Sequence, residues 1–198
     1  MRISILARLW TLTLILTAAA QAGVLFDTSG ALALTDPTQL GRLSRNGILQ
    51  DWAGSEPYPG VINTTTTYHY ETFTVNVGCA NYIQIYFDSL SANTFVSAYQ
   101  TSYSPASMAT HWLGDAGSSG NYFGTDPIFF NVIAAGNSFL TVVINNTAAS
   151  NVGIGDPFHL TVEGFGDANF TEVPEPAAML ISFSGLAILL GRRALKRS

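Results

Sequence analysis

From position 73 to position 162 the chain changes repeatedly between apolar and polar residues over short stretches. Phe158, Leu160 and Val162 alternate with His159, Thr161 and Glu163. Successive side chains of a strand point to opposite faces, so this pattern predicts a strand with one face buried. Ile83, Ile85 and Phe87 alternate with Tyr82, Gln84 and Tyr86 in the same way, and Phe73, Val75 and Val77 with Thr74 and Asn76. The runs 94–99, 128–133 and 139–144 add three strands, set apart by turn chemistry such as Ala135-Gly136-Asn137. Thr, Val, Ile, Phe and Tyr dominate the strands and Gly, Asn and Pro the gaps. Several short strands at this spacing predict an all-β fold, a single antiparallel sandwich. Phe73-Thr74-Val75-Asn76-Val77-Gly78 and Phe130-Asn131-Val132 before Ala135-Gly136-Asn137 echo each other, each reading as one arm of a hairpin.

The two ends follow a different pattern. Arg2 and Arg8 precede an apolar run over 9–20, and Ala20-Gln21-Ala22 stands before Gly23. A basic start, an apolar stretch and a small-x-small step form a secretion signal, 1–22, cut by signal peptidase after Ala22. At the other end Pro174-Glu175-Pro176 precedes a charge-free run over 177–190, followed by Arg192, Arg193, Lys196 and Arg197. The prolines exclude a regular helix and keep the segment around Glu175 extended. As a helix the apolar run is about 21 Å long, against a hydrocarbon core of about 30 Å. That makes it a marginal transmembrane helix, held by snorkelling arginines and local thinning of the bilayer. The basic end keeps the tail inside and everything before it outside.

Val173-Pro174-Glu175-Pro176, the short apolar helix and the Arg-rich end together resemble the PEP-CTERM sorting domain, over 173–198. The resemblance implies that an exosortase reads Pro174, Glu175 and Pro176, that membrane anchoring is transient, and that the protein belongs to a Gram-negative surface or biofilm matrix rich in exopolysaccharide. The middle of the chain, about 68–166, resembles the bacterial pre-peptidase C-terminal domain in its order of aromatic-x-Val, glycine turn, apolar strand and closing strand. That resemblance implies a jelly-roll-like sandwich and transfers no catalytic residues.

Between the signals lie residues 23–172, the size of one domain. Only Arg42 and Arg45 oppose twelve carboxylates there, a formal charge of −10. Such a surface repels nucleic acid and anionic lipid. The two arginines read as structural partners of carboxylates. Cys79 is the only cysteine, which excludes an internal disulfide, and its place between two apolar runs reads as a small buried side chain.

No local catalytic or metal motif is present. His69, His111 and His159 lie far apart, and there is no Gly-x-Ser-x-Gly, phosphate-cradling glycine loop or His-Glu-x-x-His. The stretch 115–126 has the acidic ends and the glycine of a calcium loop, but Gly117 offers no side-chain oxygen and Asp126 stands where a bidentate glutamate belongs, so it reads as a mobile surface loop. Trp52, Tyr58 and Trp112 are candidates for sugar stacking, while core packing at a sandwich edge explains them as well and is the more frequent fate of large aromatics. These observations predict a non-enzymatic, exosortase-sorted surface or matrix protein without cofactor or metal, next a carbohydrate-binding module, and third a secreted hydrolase.

Overall fold

The computed structural model describes residues 23–46, 56–89, 91–120 and 127–166, all within one compact unit, Ala20–Ala168. The described residues form nine strands: β1 (Gly23–Ala31), β2 (Thr38–Leu43), β3 (Val61–Asn76), β4 (Tyr82–Ser89), β5 (Thr94–Gln100), β6 (Trp112–Asp115), β7 (Ile128–Ile133), β8 (Phe139–Asn146) and β9 (Pro157–Phe165). They form a four-stranded sheet, β1-β9-β4-β7, and a five-stranded sheet, β2-β3-β8-β5-β6. Every pairing is antiparallel. Among the described residues there is no helix. The expected signal helix and the expected transmembrane helix over 177–190 lie outside the described residues.

The alternation read from the sequence decides which faces meet. Ile83, Ile85 and Phe87 of β4, Phe130 and Val132 of β7, and Leu160 and Val162 of β9 point inward with almost no exposure. Leu140, Val142 and Ile144 of β8 join them in one core. Phe73 of β3 spans the gap between the sheets, its ring 5.7 Å from Phe26 of β1 and 6.0 Å from Phe158 of β9. Aromatic rings at these separations add to the area they bury.

The two echoing stretches are not hairpin arms. β3 and β4 belong to different sheets, as do β7 and β8, so each connection is a corner that crosses from one sheet to the other. The corners lie side by side. Ala134 N–H donates to Asn81 C=O at 2.9 Å, and Val77 N–H to Ser138 C=O at 3.1 Å. Because β3 pairs β8 while β4 pairs β7, the similar sequences reflect equivalent corners.

The structure corrects three further expectations. Cys79 is exposed: it sits on the first corner after Gly78, whose φ of +53° turns the backbone, and Ala80 takes the inward place. Arg42 is buried, but its guanidinium donates to the carbonyls of Thr147 and Leu43 and lies over the Tyr68 ring, so backbone and aromatic groups take the part expected of carboxylates. Residues 115–120 form no surface loop. Ala116 N–H donates to Val96 C=O and Gly120 N–H to Thr94 C=O, which holds this stretch against β5 and buries Asp115, Ser118 and Ser119.

Candidate functional site

Two places on the sandwich gather chemistry, one on the outer face of each sheet. On the five-stranded sheet β5 is buried on both faces, with Phe95, Ser97 and Tyr99 pointing outward and still covered. Part of the cover is the 101–111 connection, whose Tyr103 packs on Tyr99 at 4.7 Å and on Tyr70 at 5.3 Å. Tyr103 O–H donates to Gln39 Oε1. Burial raises the pKa of both Tyr99 and Tyr103, so both phenols stay neutral. The connection enters and leaves through left-handed residues, Thr101 at φ +68° and His111 at φ +65°. Gln100 N–H donates to His111 C=O at 2.7 Å and closes its base.

Beside this layer the structure brings together two of the three aromatic residues singled out for sugar stacking. Trp112 lies opposite Tyr99 on β6, and Tyr58 meets its ring edge-to-face at 5.6 Å. Trp52 lies outside the described residues. Asp115 lies opposite Ser97, two places along β5 from Tyr99, so the bulge between Ala98 and Tyr99 sets it on the same outer face as Trp112. It is 4% exposed; one carboxylate oxygen accepts from Gly117 N–H at 2.7 Å, while Oδ2 has no hydrogen-bond partner. Trp112 Nε1 is likewise buried without one. Burial pushes the Asp115 carboxyl up to about 7, aided by the charge of Glu56 and opposed by Gly117 N–H and the nearby Trp112 indole. Tyr58 is raised by burial and by Asp115. The indole N–H stands near enough to lower the Asp115 carboxyl, yet neither Trp112 Nε1 nor Asp115 Oδ2 completes a hydrogen bond of good geometry, which leaves a donor and an acceptor buried side by side.

The outer face of the four-stranded sheet is open, and its register sets side chains in rows. Asp27, Thr161, Tyr86 and Phe129 form one row across β1, β9, β4 and β7, with Val24, Glu163, Gln84 and Asn131 on one side of it and Ser29, His159 and Asp88 on the other. A shallow cavity of about 260 Å³ lies between Tyr86, Asp88, Pro127, His159, Thr161 and Glu163. His159 Nε2 is 3.2 Å from Asp27, and Thr161 Oγ1 donates to the same carboxylate at 3.0 Å. These two bonds, His159 first, hold Asp27 below the usual carboxylate range. Gln84 donates to Asn131 Oδ1 at 2.8 Å and accepts from Tyr86 O–H. Burial and the charge of Glu163 raise the Tyr86 phenol. Alternation places His159 outward on its strand, but periodicity carries no information on which strand lies beside it, so the rows were not legible.

Arg45 donates to Ser119 Oγ. His69, His111 and His159 stay apart, with His69 Nδ1 at 3.2 Å from Asp36 C=O and His111 at 3.3 Å from Ser102. Among the described residues no three His, Cys, Asp or Glu side chains converge as a metal site would require. Gly23 opens β1 opposite Gly164, whereas Ala20, Ala22, Pro174, Glu175, Pro176, Arg192, Arg193, Lys196 and Arg197 lie outside the described residues.

No protein-family model matches the chain, and no curated protein matches it. Among solved structures, the enzymatically active domain of tailspike protein 4 of bacteriophage CBA120 is similar at a TM-score of 0.27 and 12% identity over 71% of this chain. The match covers 19% of that domain's chain, so the present chain spans about a fifth of its length. No residue role is carried over from it.

Proposed function

We propose that the chain is an exported, exosortase-sorted component of the cell surface or extracellular matrix, associated with exopolysaccharide and acting without catalysis. The observation that carries this reading is the order at the C-terminus: Pro174-Glu175-Pro176, an uncharged apolar run, then Arg192, Arg193, Lys196 and Arg197. An extended motif ahead of a short apolar helix suits recognition outside the membrane followed by release. Cleavage after Ala22 would keep every described residue of β1, Gly23–Ala31. The strand order supports an autonomous module. With β2 set aside as an added edge, β1-β9-β4-β7 against β3-β8-β5-β6 is the winding of an eight-stranded jelly roll. Intact-mass measurement of the surface and medium fractions tests the reading. Loss of the tail near 174–176 is expected, with full-length precursor retained in the membrane when Pro174, Glu175 and Pro176 are all replaced by alanine. Wild-type protein that still carries 192–198 outside the cell would overturn it.

A second reading, carbohydrate binding, is favoured by the Tyr58–Trp112 pair beside the unpartnered oxygen of Asp115. A sugar offers an apolar ring face to stack and hydroxyls that both donate and accept. Trp112→Ala is then expected to abolish retention on immobilised exopolysaccharide. Unchanged retention by a folded variant would remove this site from the reading.

A further inference from the structure

We propose that the outer face of the four-stranded sheet binds a saccharide carrying free amino groups, laid along the strands over Tyr86. The proposal rests on the register and chemistry of this face and is independent of the sorting tail and of the Tyr58–Trp112 pair. Tyr86 lies mid-row, with its ring 5.9 Å from that of Phe129, which is 46% exposed. The two rings make an aromatic platform at the edge of the cavity. Glu163 and Asp88 lie on either side of it along the strand direction, each one row from Tyr86. Strand rise and spacing set the Cα atoms of Asp88 and Glu163 roughly 14 Å apart at the diagonal, a span that suits a short oligosaccharide better than a single small ion.

The charges select the ligand. Asp27 is engaged by His159 and Thr161, whereas Asp88 and Glu163 make no hydrogen bond or ion pair with another described residue. Among the described residues neither Lys nor Arg lines the cavity, and its one imidazole, His159, faces Asp27. Two unneutralised carboxylates disfavour a uronic or sulfated glycan and favour ammonium groups, from which they accept charge-assisted hydrogen bonds. The face of Tyr86 attracts a cation in addition. Thr161 Oγ1 donates to Asp27 and His159 turns Nε2 to the same carboxylate, which leaves the Thr161 oxygen as an acceptor and His159 Nδ1 to meet hydroxyls.

The test uses the full-length chain in a polyoxyethylene detergent, titrated calorimetrically with a β-1,4-linked glucosamine hexasaccharide at mildly acid pH. Binding is expected, at least tenfold weaker for the N-acetylated hexasaccharide and weakened by added salt. Asp88→Asn with Glu163→Gln is expected to cost tenfold or more in affinity with an unchanged thermal midpoint. Each single substitution should cost several-fold, which keeps the test valid if the double variant fails to fold, and Asp156→Asn should bind as wild type does. Absence of binding, equal binding of the acetylated oligomer, or undiminished binding by the folded charge variants would overturn the proposal. None of these outcomes depends on whether the tail is cut.

Discussion

A carboxylate that is 4% exposed with one oxygen unpartnered leaves a signature in the pH dependence of folding. The native Asp115 carboxyl titrates near 7, raised from 3.8 chiefly by burial. Below the unfolded value both states are protonated and Asp115 carries no penalty. As pH rises from there the unfolded chain releases its proton while the native chain keeps it, so stability falls until the native group also ionises near 7. Asp115→Asn removes the titration. Its stability relative to wild type is expected to climb by on the order of 4 kcal/mol across that window and then level off. Urea unfolding of both proteins from about pH 4 to about pH 8 measures it; parallel curves would show that Asp115 is already ionised in the fold. Sequence places this residue at the start of a surface loop because its acids and glycines resemble one. What it does not show is that 116–120 runs along β5, a long-range pairing with no local signal.

Among the elements, the clean alternations were readable because both neighbours of each such strand present the same inward face. β7 spans the expected 128–133, and β4, β5, β8 and β9 contain their expected runs. β1, β2, β6 and the first half of β3 were missed. In β1 a register shift between Val24 and Phe26 turns both Leu25 and Phe26 toward the core, which destroys the period of two. The space for Leu25 exists because residue 164 is glycine: a Cβ there would lie 2.6 Å from Leu25 Cδ1. In the β5–β6 connection the departure from expectation is energetic. Thr101 is β-branched and exposed, yet holds φ at +68°, a conformation that costs such residues roughly 1–2 kcal/mol. Thr101→Gly relieves that strain and adds chain entropy to the unfolded state, and the first effect is larger. The variant is expected to be more stable by about 1 kcal/mol, as read from its chemical-denaturation midpoint; a loss of stability would mean that the Thr101 side chain contributes contacts of its own.

For the molecule as a whole, charge is the property that composition gave most directly. Two arginines oppose twelve carboxylates over 23–172, and Arg42 spends its guanidinium on carbonyls, so the carboxylates repel one another with little internal compensation. Screening weakens that repulsion within a Debye length of about 8 Å at physiological ionic strength. The melting temperature is therefore expected to rise between low salt and about 0.15 M sodium chloride, as followed by circular dichroism in the strand region. A fall would place a net favourable ion network in the fold. Fold class was legible because it follows from local periodicity. The aromatic layer of Tyr70, Tyr99 and Tyr103 was not, because those residues come from three separate segments and meet only when β3, β8 and β5 align.

The pairing of β1 with β9 has an architectural consequence. The first strand and the last are neighbours, and Gly23 stands opposite Gly164, so the chain enters and leaves the sandwich at one corner, about the width of a strand pair apart. A module built this way can be spliced into a surface loop of another protein, or repeated in tandem, without rerouting the host chain. A short linker joining the two ends would close it into a ring with the sandwich intact, and new ends could then be opened at a connection on another side.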